Sequence, residues 1–197
     1  MVSLLSETES VPFPGVAMAL QLADRSTYRH GQRVGLLAAF LGAWMGLSGE
    51  ALHQLRVAAA LHDIGKLAVP TGILQKSSPF GINEYRIMQR HAPFGAFLLE
   101  CTKLRSAISH VALHHHERWD GLGYPHGLCR TAIPLAAQIT CVADAYEAMV
   151  TDRPYRVAPG HDFAVEEIRR SRGSQFSPTV VDAFVETEPS WREELES

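Results

Sequence analysis

The chain has 197 residues, of which 46% are hydrophobic and 20% charged, a balance typical of one globular domain with a buried core. Its formal net charge of −3 at pH 7 argues against a protein that coats duplex nucleic acid, because such proteins usually carry a basic excess. An anionic small ligand remains compatible with this charge, since it needs only a local basic pocket.

The cysteines and the start of the chain indicate the compartment. Cys101, Cys129 and Cys141 form no CxxC pair, so neither a disulfide framework nor a thiolate zinc site is predicted. No apolar run approaches the roughly twenty residues that span a bilayer, and residues 1–10 lack the pattern of a signal peptide. We therefore expect a cytoplasmic protein without a membrane segment.

Helical periodicity dominates the chain after a polar, Pro- and Gly-interrupted start at residues 1–15, which we predict to be a tail or linker. Apolar residues first recur at the i, i+3, i+4, i+7 spacing of a helix at Val34, Leu37, Ala38 and Leu41. In chain order, helices are predicted over about 27–45, 50–64, from 84 onward, 106–116, 134–151, 162–171 and 177–186.

Three residues are expected to set helix boundaries. Asn83 is a good N-cap for the helix that begins near residue 84, and Pro93 interrupts that helix or starts another. Pro134 suits the first turn of the long helix that follows the Gly- and Pro-rich loop at 119–128. With no alternating strand pattern, we predict an all-α, compact single-domain bundle over residues 16–187 and a C-terminal tail at 188–197.

Histidine is enriched, with ten residues in the chain, and it is the usual ligand of first-row metals. The pair His62–Asp63 follows the apolar run 58–61, and burying both side chains is costly unless they pair or bind metal. A buried His–Asp hydrogen bond that caps the helix explains this pair equally well.

Three successive histidines, at 114–116, precede the Gly-rich loop. Neighbouring helical residues point about 100° apart, so the three cannot all face one ion. Two of them could serve two different ions, and a solvated His-rich helix end is the alternative. His30, His91 and Asp144 are weaker candidates, because a lone histidine is usually core or surface and an arginine partner would explain a lone buried carboxylate.

Three motifs together resemble the HD-GYP family, a branch of the HD phosphohydrolase superfamily, over roughly residues 22–184. They are His62-Asp63-Ile64-Gly65-Lys66, then His115-His116-Glu117-Arg118-Trp119-Asp120-Gly121-Leu122-Gly123-Tyr124-Pro125, and finally Asp144 with Asp152-Arg153-Pro154-Tyr155-Arg156. The resemblance implies a helical domain with a buried site for two or three metal ions. It also implies hydrolysis of cyclic di-GMP to linear pGpG, with GMP as a further product.

The resemblance implies a role for each matching residue. Five histidines and two aspartates would be the metal ligands: His30, His62, Asp63, His91, His115, His116 and Asp144. Asp63 would bridge two ions and act in catalysis with Lys66. Lys66, Arg153 and Arg156 would contact substrate phosphates, and Tyr124 would contact the ligand.

Two departures from the family pattern bear on the site. Ser26 stands where three-metal members carry a glutamate, which favours two ions, and Glu147 stands where an aspartate is common. Imidazole and carboxylate ligands suit iron or manganese, with zinc as a further option. A hydroxide that bridges the two ions would attack phosphorus.

The leftover histidines, His53, His110, His114, His126 and His161, receive no function. His110 and His114 lie one helical turn apart and could bind a metal together, but as candidate metal ligands they rank below His115 and His116. Two other functions remain open: a non-catalytic cyclic-dinucleotide receptor whose Gly- and Pro-rich loop at 119–128, the GYP loop, contacts a signalling protein, and an HD hydrolase of another cyclic dinucleotide. The sequence does not indicate an oligomeric state.

Overall fold

A computed structural model describes residues 14–102, 106–152, 157–188 and 190–191, and within these ranges it contains helices and no extended strand. The predicted all-α class is therefore confirmed. In these described ranges, ten α-helices follow one another: α1 Pro14–Ala23, α2 Arg25–Trp44, α3 Gly49–Ala60, α4 Thr71–Leu74, α5 Ile82–Gln89, α6 His91–Cys101, α7 Ser106–His114, α8 Leu135–Val150, α9 His161–Arg170 and α10 Pro178–Glu186. Two 3-10 helices cover Ile64–Ala68 and Arg130–Ala132.

Helix α2 begins at a side-chain cap. Asp24 accepts hydrogen bonds from the Thr27 backbone N–H at 3.0 Å and from its hydroxyl at 2.7 Å, so the helix starts two residues earlier than its predicted start. The predicted apolar face is buried. None of its residues is more than 2% exposed: Val34, Leu37, Ala38 and Leu41.

Helices α2 and α3 pack at very short distance because a glycine lies between them. A Cβ added at Gly31 would lie 2.2 Å from the carbonyl oxygen of Ala60, so a larger residue would separate the helices. This contact brings His30, the residue before Gly31, towards the turn that follows Ala60.

Among the residues that the structure describes, the core has two parts. One joins α2, α3, α8, α9 and α10, and the other joins α1, α3, α6 and α7. Trp191, beyond the predicted domain boundary at residue 187, is buried in the first part and stacks on Phe184 at a ring-centroid distance of 5.0 Å. None of the described helices is both long and apolar enough to cross a membrane.

Several predicted helix boundaries were wrong. Asn83 does not cap α5, because the helix starts at Ile82 and the Glu84 carboxylate accepts the backbone N–H of the N-cap Gly81 at 2.7 Å. Pro134 precedes α8 as its N-cap instead of lying in its first turn. The helix predicted over 50–64 ends at Ala60, which places His62 and Asp63 in a tight turn.

Candidate metal centre

The turn after α3 points His62 and Asp63 into the protein, where they are 0% and 4% exposed. The Nδ1–H of His62 donates to the carbonyl oxygen of Ala59 at 2.7 Å. This bond fixes the ring and leaves Nε2 as the free lone pair. Nε2 of His62 and Oδ1 of Asp63 are buried and have no hydrogen-bond partner within the described ranges, as expected of atoms that ligate a cation.

His91 and His115 are held in the same way. Nδ1 of His91 donates to the Met88 carbonyl at 2.6 Å, and Nδ1 of His115 donates to the Ala112 carbonyl at 2.9 Å. Their Nε2 atoms face each other at 3.3 Å. Burial lowers the pKa of both rings, so both are neutral and present lone pairs. Two facing lone pairs repel unless they share a cation, and about 3.3 Å separates ligand atoms in a tetrahedral zinc-type site.

Asp63 lies between the rings of His91 and His62. Its Oδ1 is 3.4 Å from Nε2 of His91, whereas its Oδ2 is 3.2 Å from Nε2 of His62 and also contacts the Lys66 ammonium. Burial alone would raise the pKa of this carboxyl, but the positive charge of the Lys66 ammonium beside it outweighs burial and holds the pKa well below its usual range. Asp63 is thus a buried carboxylate with one oxygen facing His91 and the other facing His62.

The second group forms around Asp144 on α8. Its Oδ1 is 2.9 Å from Nε2 of His30 and 3.8 Å from Nε2 of His62. The other nitrogen of His30 contacts Glu147, one turn further along α8, and Glu147 also accepts the Nε–H of Arg33 at 2.5 Å. Burial would lower the pKa of His30, but the bonds to Asp144 and Glu147 raise it to about 9.

All seven residues that the family resemblance implied as metal ligands therefore lie in one buried region. The ligand atoms of each group lie within 4.8 Å of one another. The first group is Asp63, His91, His115 and His116, and the second is His30, His62 and Asp144. These donor types suit iron, manganese or zinc. Ser26 is exposed on α2.

The structure describes two of the four residues that were predicted to contact the substrate. Lys66 lies in the first 3-10 helix, with 26% of its side chain exposed beside Asp63. The ring of Tyr124 faces that of His116 at a centroid distance of 4.7 Å, and burial raises the pKa of its hydroxyl above the ordinary value. Arg153 and Arg156 lie outside the described residues.

Glu147 departs from the family pattern, and the sequence alone assigns it no role. Its side chain orients His30 through the nitrogen that faces away from Asp144. The spacing of three residues from Asp144, on the same apolar helix, is the signal that could have identified it.

An all-helical domain that brings an adjacent His–Asp pair together with histidines and an aspartate from distant segments in one buried centre is of the HD type. The chain belongs to the HD domain family, as the motifs predicted: the family model described as "HD domain" matches residues 15–180.

Curated relatives confirm the resemblance to the HD-GYP branch. A cyclic di-GMP phosphodiesterase of Thermotoga maritima is 39% identical over 87% of this chain and 47% of its own length. A cyclic di-GMP phosphodiesterase response regulator of Xanthomonas campestris is 37% identical, over 92% and 48% respectively. A 3'3'-cGAMP-specific phosphodiesterase of Vibrio cholerae is 34% identical, over 92% and 35%. The chain thus spans about half the length of these relatives or less.

Solved structures share the fold. An HD-GYP-type protein from Bdellovibrio bacteriovorus superposes with a TM-score of 0.70 at 19% identity, over 88% of this chain and 56% of that chain. The HD domain of the Listeria monocytogenes phosphodiesterase PgpH, in complex with cyclic di-AMP, superposes with a TM-score of 0.67 at 18% identity, over 93% and 99%. At this identity the likeness concerns the fold alone.

Proposed function

We propose that the chain is a metal-dependent phosphodiesterase that hydrolyses cyclic di-GMP to linear pGpG, with GMP as the product of a second cleavage. One observation carries the proposal. Seven imidazoles and carboxylates converge in two adjoining groups, and the buried atoms Nε2 of His62 and Oδ1 of Asp63 have no hydrogen-bond partner in the part of the chain that is described. The names of the curated relatives support the choice of substrate.

The ligand set fits two divalent ions, with iron or manganese preferred over zinc. When bound, two such ions activate a water molecule near neutral pH and stabilise charge on the attacking and leaving oxygens. The chain's own part is to fix the geometry: backbone carbonyls hold the rings of His62, His91 and His115 through Nδ1, and Asp63 directs one oxygen at each group.

The residues in and around the centre have separate roles in this proposal. Asp63, with one oxygen towards His91 and the other towards His62, would hold both ions, and Lys66, at the partly exposed edge beside it, would contact a substrate phosphate. Tyr124 covers His116 and contacts the ligand. Arg153 and Arg156 complete the phosphate contacts in this proposal, on the family resemblance alone.

The test is product analysis on protein purified without air. Cyclic di-GMP is incubated with the protein and ferrous or manganous ion, and nucleotides are separated by chromatography. We expect linear product from the unsubstituted chain and no turnover, with loss of bound metal, from Asp63→Ala. Asp162→Ala, which changes an exposed aspartate on α9, serves as the matched control. Full activity and normal metal content in Asp63→Ala would refute the assignment.

A second substrate is favoured by a specific observation, since one of the relatives is named as specific for 3'3'-cGAMP. Rates over a panel of cyclic di-GMP, 3'3'-cGAMP and cyclic di-AMP decide between these nucleotides. Recovery of intact nucleotide from every reaction would instead support a receptor, with the exposed Leu122 of the GYP loop as a contact for a signalling protein. The cytoplasmic location and the domain boundaries remain predictions.

A further inference from the structure

A third group of metal-ligating side chains lies outside the centre described above. His114, at the end of α7, comes together with Glu117 and His126, which bracket most of the GYP loop, and their ligand atoms lie within 4.8 Å of one another. We propose that these three residues bind a separate zinc-class divalent ion that joins the end of α7 to the GYP loop. The inference does not depend on the proposed catalytic activity.

The ring of His114 is the strongest indication of a ligand. The residue is only 9% exposed, and its Nδ1 has no hydrogen-bond partner among the residues that the structure describes. The ring therefore differs from those of His62, His91 and His115, whose Nδ1 atoms donate to backbone carbonyls. A buried imidazole nitrogen without a partner carries a desolvation cost that a bound cation would remove.

Glu117 places a negative charge next to that nitrogen. Its side chain is fully buried, and its Oε1 lies 3.7 Å from Nδ1 of His114. Each carboxylate oxygen accepts one backbone N–H, from His126 at 2.8 Å and from Leu128 at 3.0 Å. Since a carboxylate oxygen has two lone-pair positions, Oε1 can accept an N–H and still ligate an ion.

His126 completes the set from the solvent side. It is exposed, and its ring centroid is 5.3 Å from that of His114, closer than the 6.2 Å that separates His110 from His114. An ion can therefore reach the site without opening the core. Two histidines and one glutamate are a ligand set that zinc uses in proteins, with a fourth position left for water.

Binding at this site would restrain the segment that carries Tyr124. The ion would connect residues 114, 117 and 126, and Tyr124 lies two residues before His126 with its ring against His116. A bound ion would thus order the GYP loop without touching the reacting atoms. Its role would be to position the loop.

The experiment counts bound ions. Metal-free protein is dialysed against zinc buffered at submicromolar free concentration, and zinc per chain is measured by mass spectrometry. His126→Ala removes an exposed imidazole and keeps the backbone N–H that Glu117 accepts, so the loop retains that bond. We expect this variant to hold one zinc ion fewer than the unsubstituted chain. His53→Ala, which removes an exposed histidine of α3, should hold the same number.

The comparison is repeated in the Asp63→Ala background, which weakens the other centre. There, His126→Ala should again remove one ion, and zinc should raise the thermal midpoint of the Asp63→Ala chain more than that of the double variant. Equal zinc counts with and without His126, or an equal loss in His53→Ala, would overturn the proposal. Because no substrate is used, either failure leaves the phosphodiesterase proposal untouched.

Discussion

Gly65 lies directly against the backbone of His91: a Cβ added at Gly65 would come within 1.9 Å of the His91 carbonyl oxygen. This contact seats the first 3-10 helix, which follows the His62–Asp63 turn, on the start of α6. As a result, Nε2 of His91 faces Oδ1 of Asp63 at 3.4 Å. Gly65 thus sets the distance between Asp63 and His91, two candidate ligands from separate segments.

Replacing Gly65 by alanine should therefore damage both the fold and the centre. The new methyl group must push the His91 backbone away, and we expect a loss of about 1–3 kcal/mol in the free energy of unfolding together with weaker metal binding. Chemical denaturation and metal analysis measure the two effects. Gly72→Ala is the control, because a Cβ there meets nothing within 4 Å. Equal behaviour of the two variants would contradict the role of this contact.

Removal of metal by a chelator should lower the thermal midpoint of the unsubstituted protein. The facing Nε2 atoms of His91 and His115, 3.3 Å apart, would no longer share a cation between their lone pairs, and the ion's binding free energy would be lost from the folded state. Adding manganese back should restore the midpoint, as followed by calorimetry. Asp63→Ala should respond less to the chelator than the unsubstituted protein, because only the separate site at His114, Glu117 and His126 would still hold an ion. An unchanged midpoint of the unsubstituted protein after chelation would argue against the centre.

Glu147→Gln should weaken metal binding without touching a ligand. The substitution keeps the size of the side chain but removes the negative charge that contacts His30 and Arg33. Loss of a residue that orients a ligating histidine typically lowers metal affinity by about 10–100-fold. Titration with manganese measures the dissociation constant. Glu166→Gln, on the exposed face of α9, should leave that constant unchanged, and an unchanged constant in Glu147→Gln would exclude the positioning role.

Lys66→Ala should reduce turnover while leaving the metal content intact. The Lys66 ammonium lies beside Asp63 at a partly exposed edge, where it can stabilise charge that develops on a phosphate. Loss of one such group typically costs about 100-fold or more in kcat. Lys66→Arg retains the positive charge and should keep more activity than the alanine variant. Steady-state kinetics with metal-loaded protein provide the measurement, and an unaltered kcat in Lys66→Ala would remove Lys66 from the reaction.

The sequence by itself determined the helical class and much of the core. Val34, Leu37 and Leu41 are buried because helix periodicity is a local property that can be read from spacing alone. The candidate ligands also followed from the sequence, through short motifs whose residues match a known family. Local patterns were weaker at helix ends, where the bond from Gly81 to Glu84 fixed a start that Asn83 did not.

Only the tertiary structure decided how the candidate ligands are grouped. His30 and Glu147 are 117 residues apart in sequence, and their contact depends on how closely α2 packs on its neighbours. The same holds for the two oxygens of Asp63, which face different groups because α3 ends at Ala60 and a turn follows. The meeting of His114 with His126 likewise depends on the path of the GYP loop. Such contacts arise from packing between segments, which no local spacing encodes.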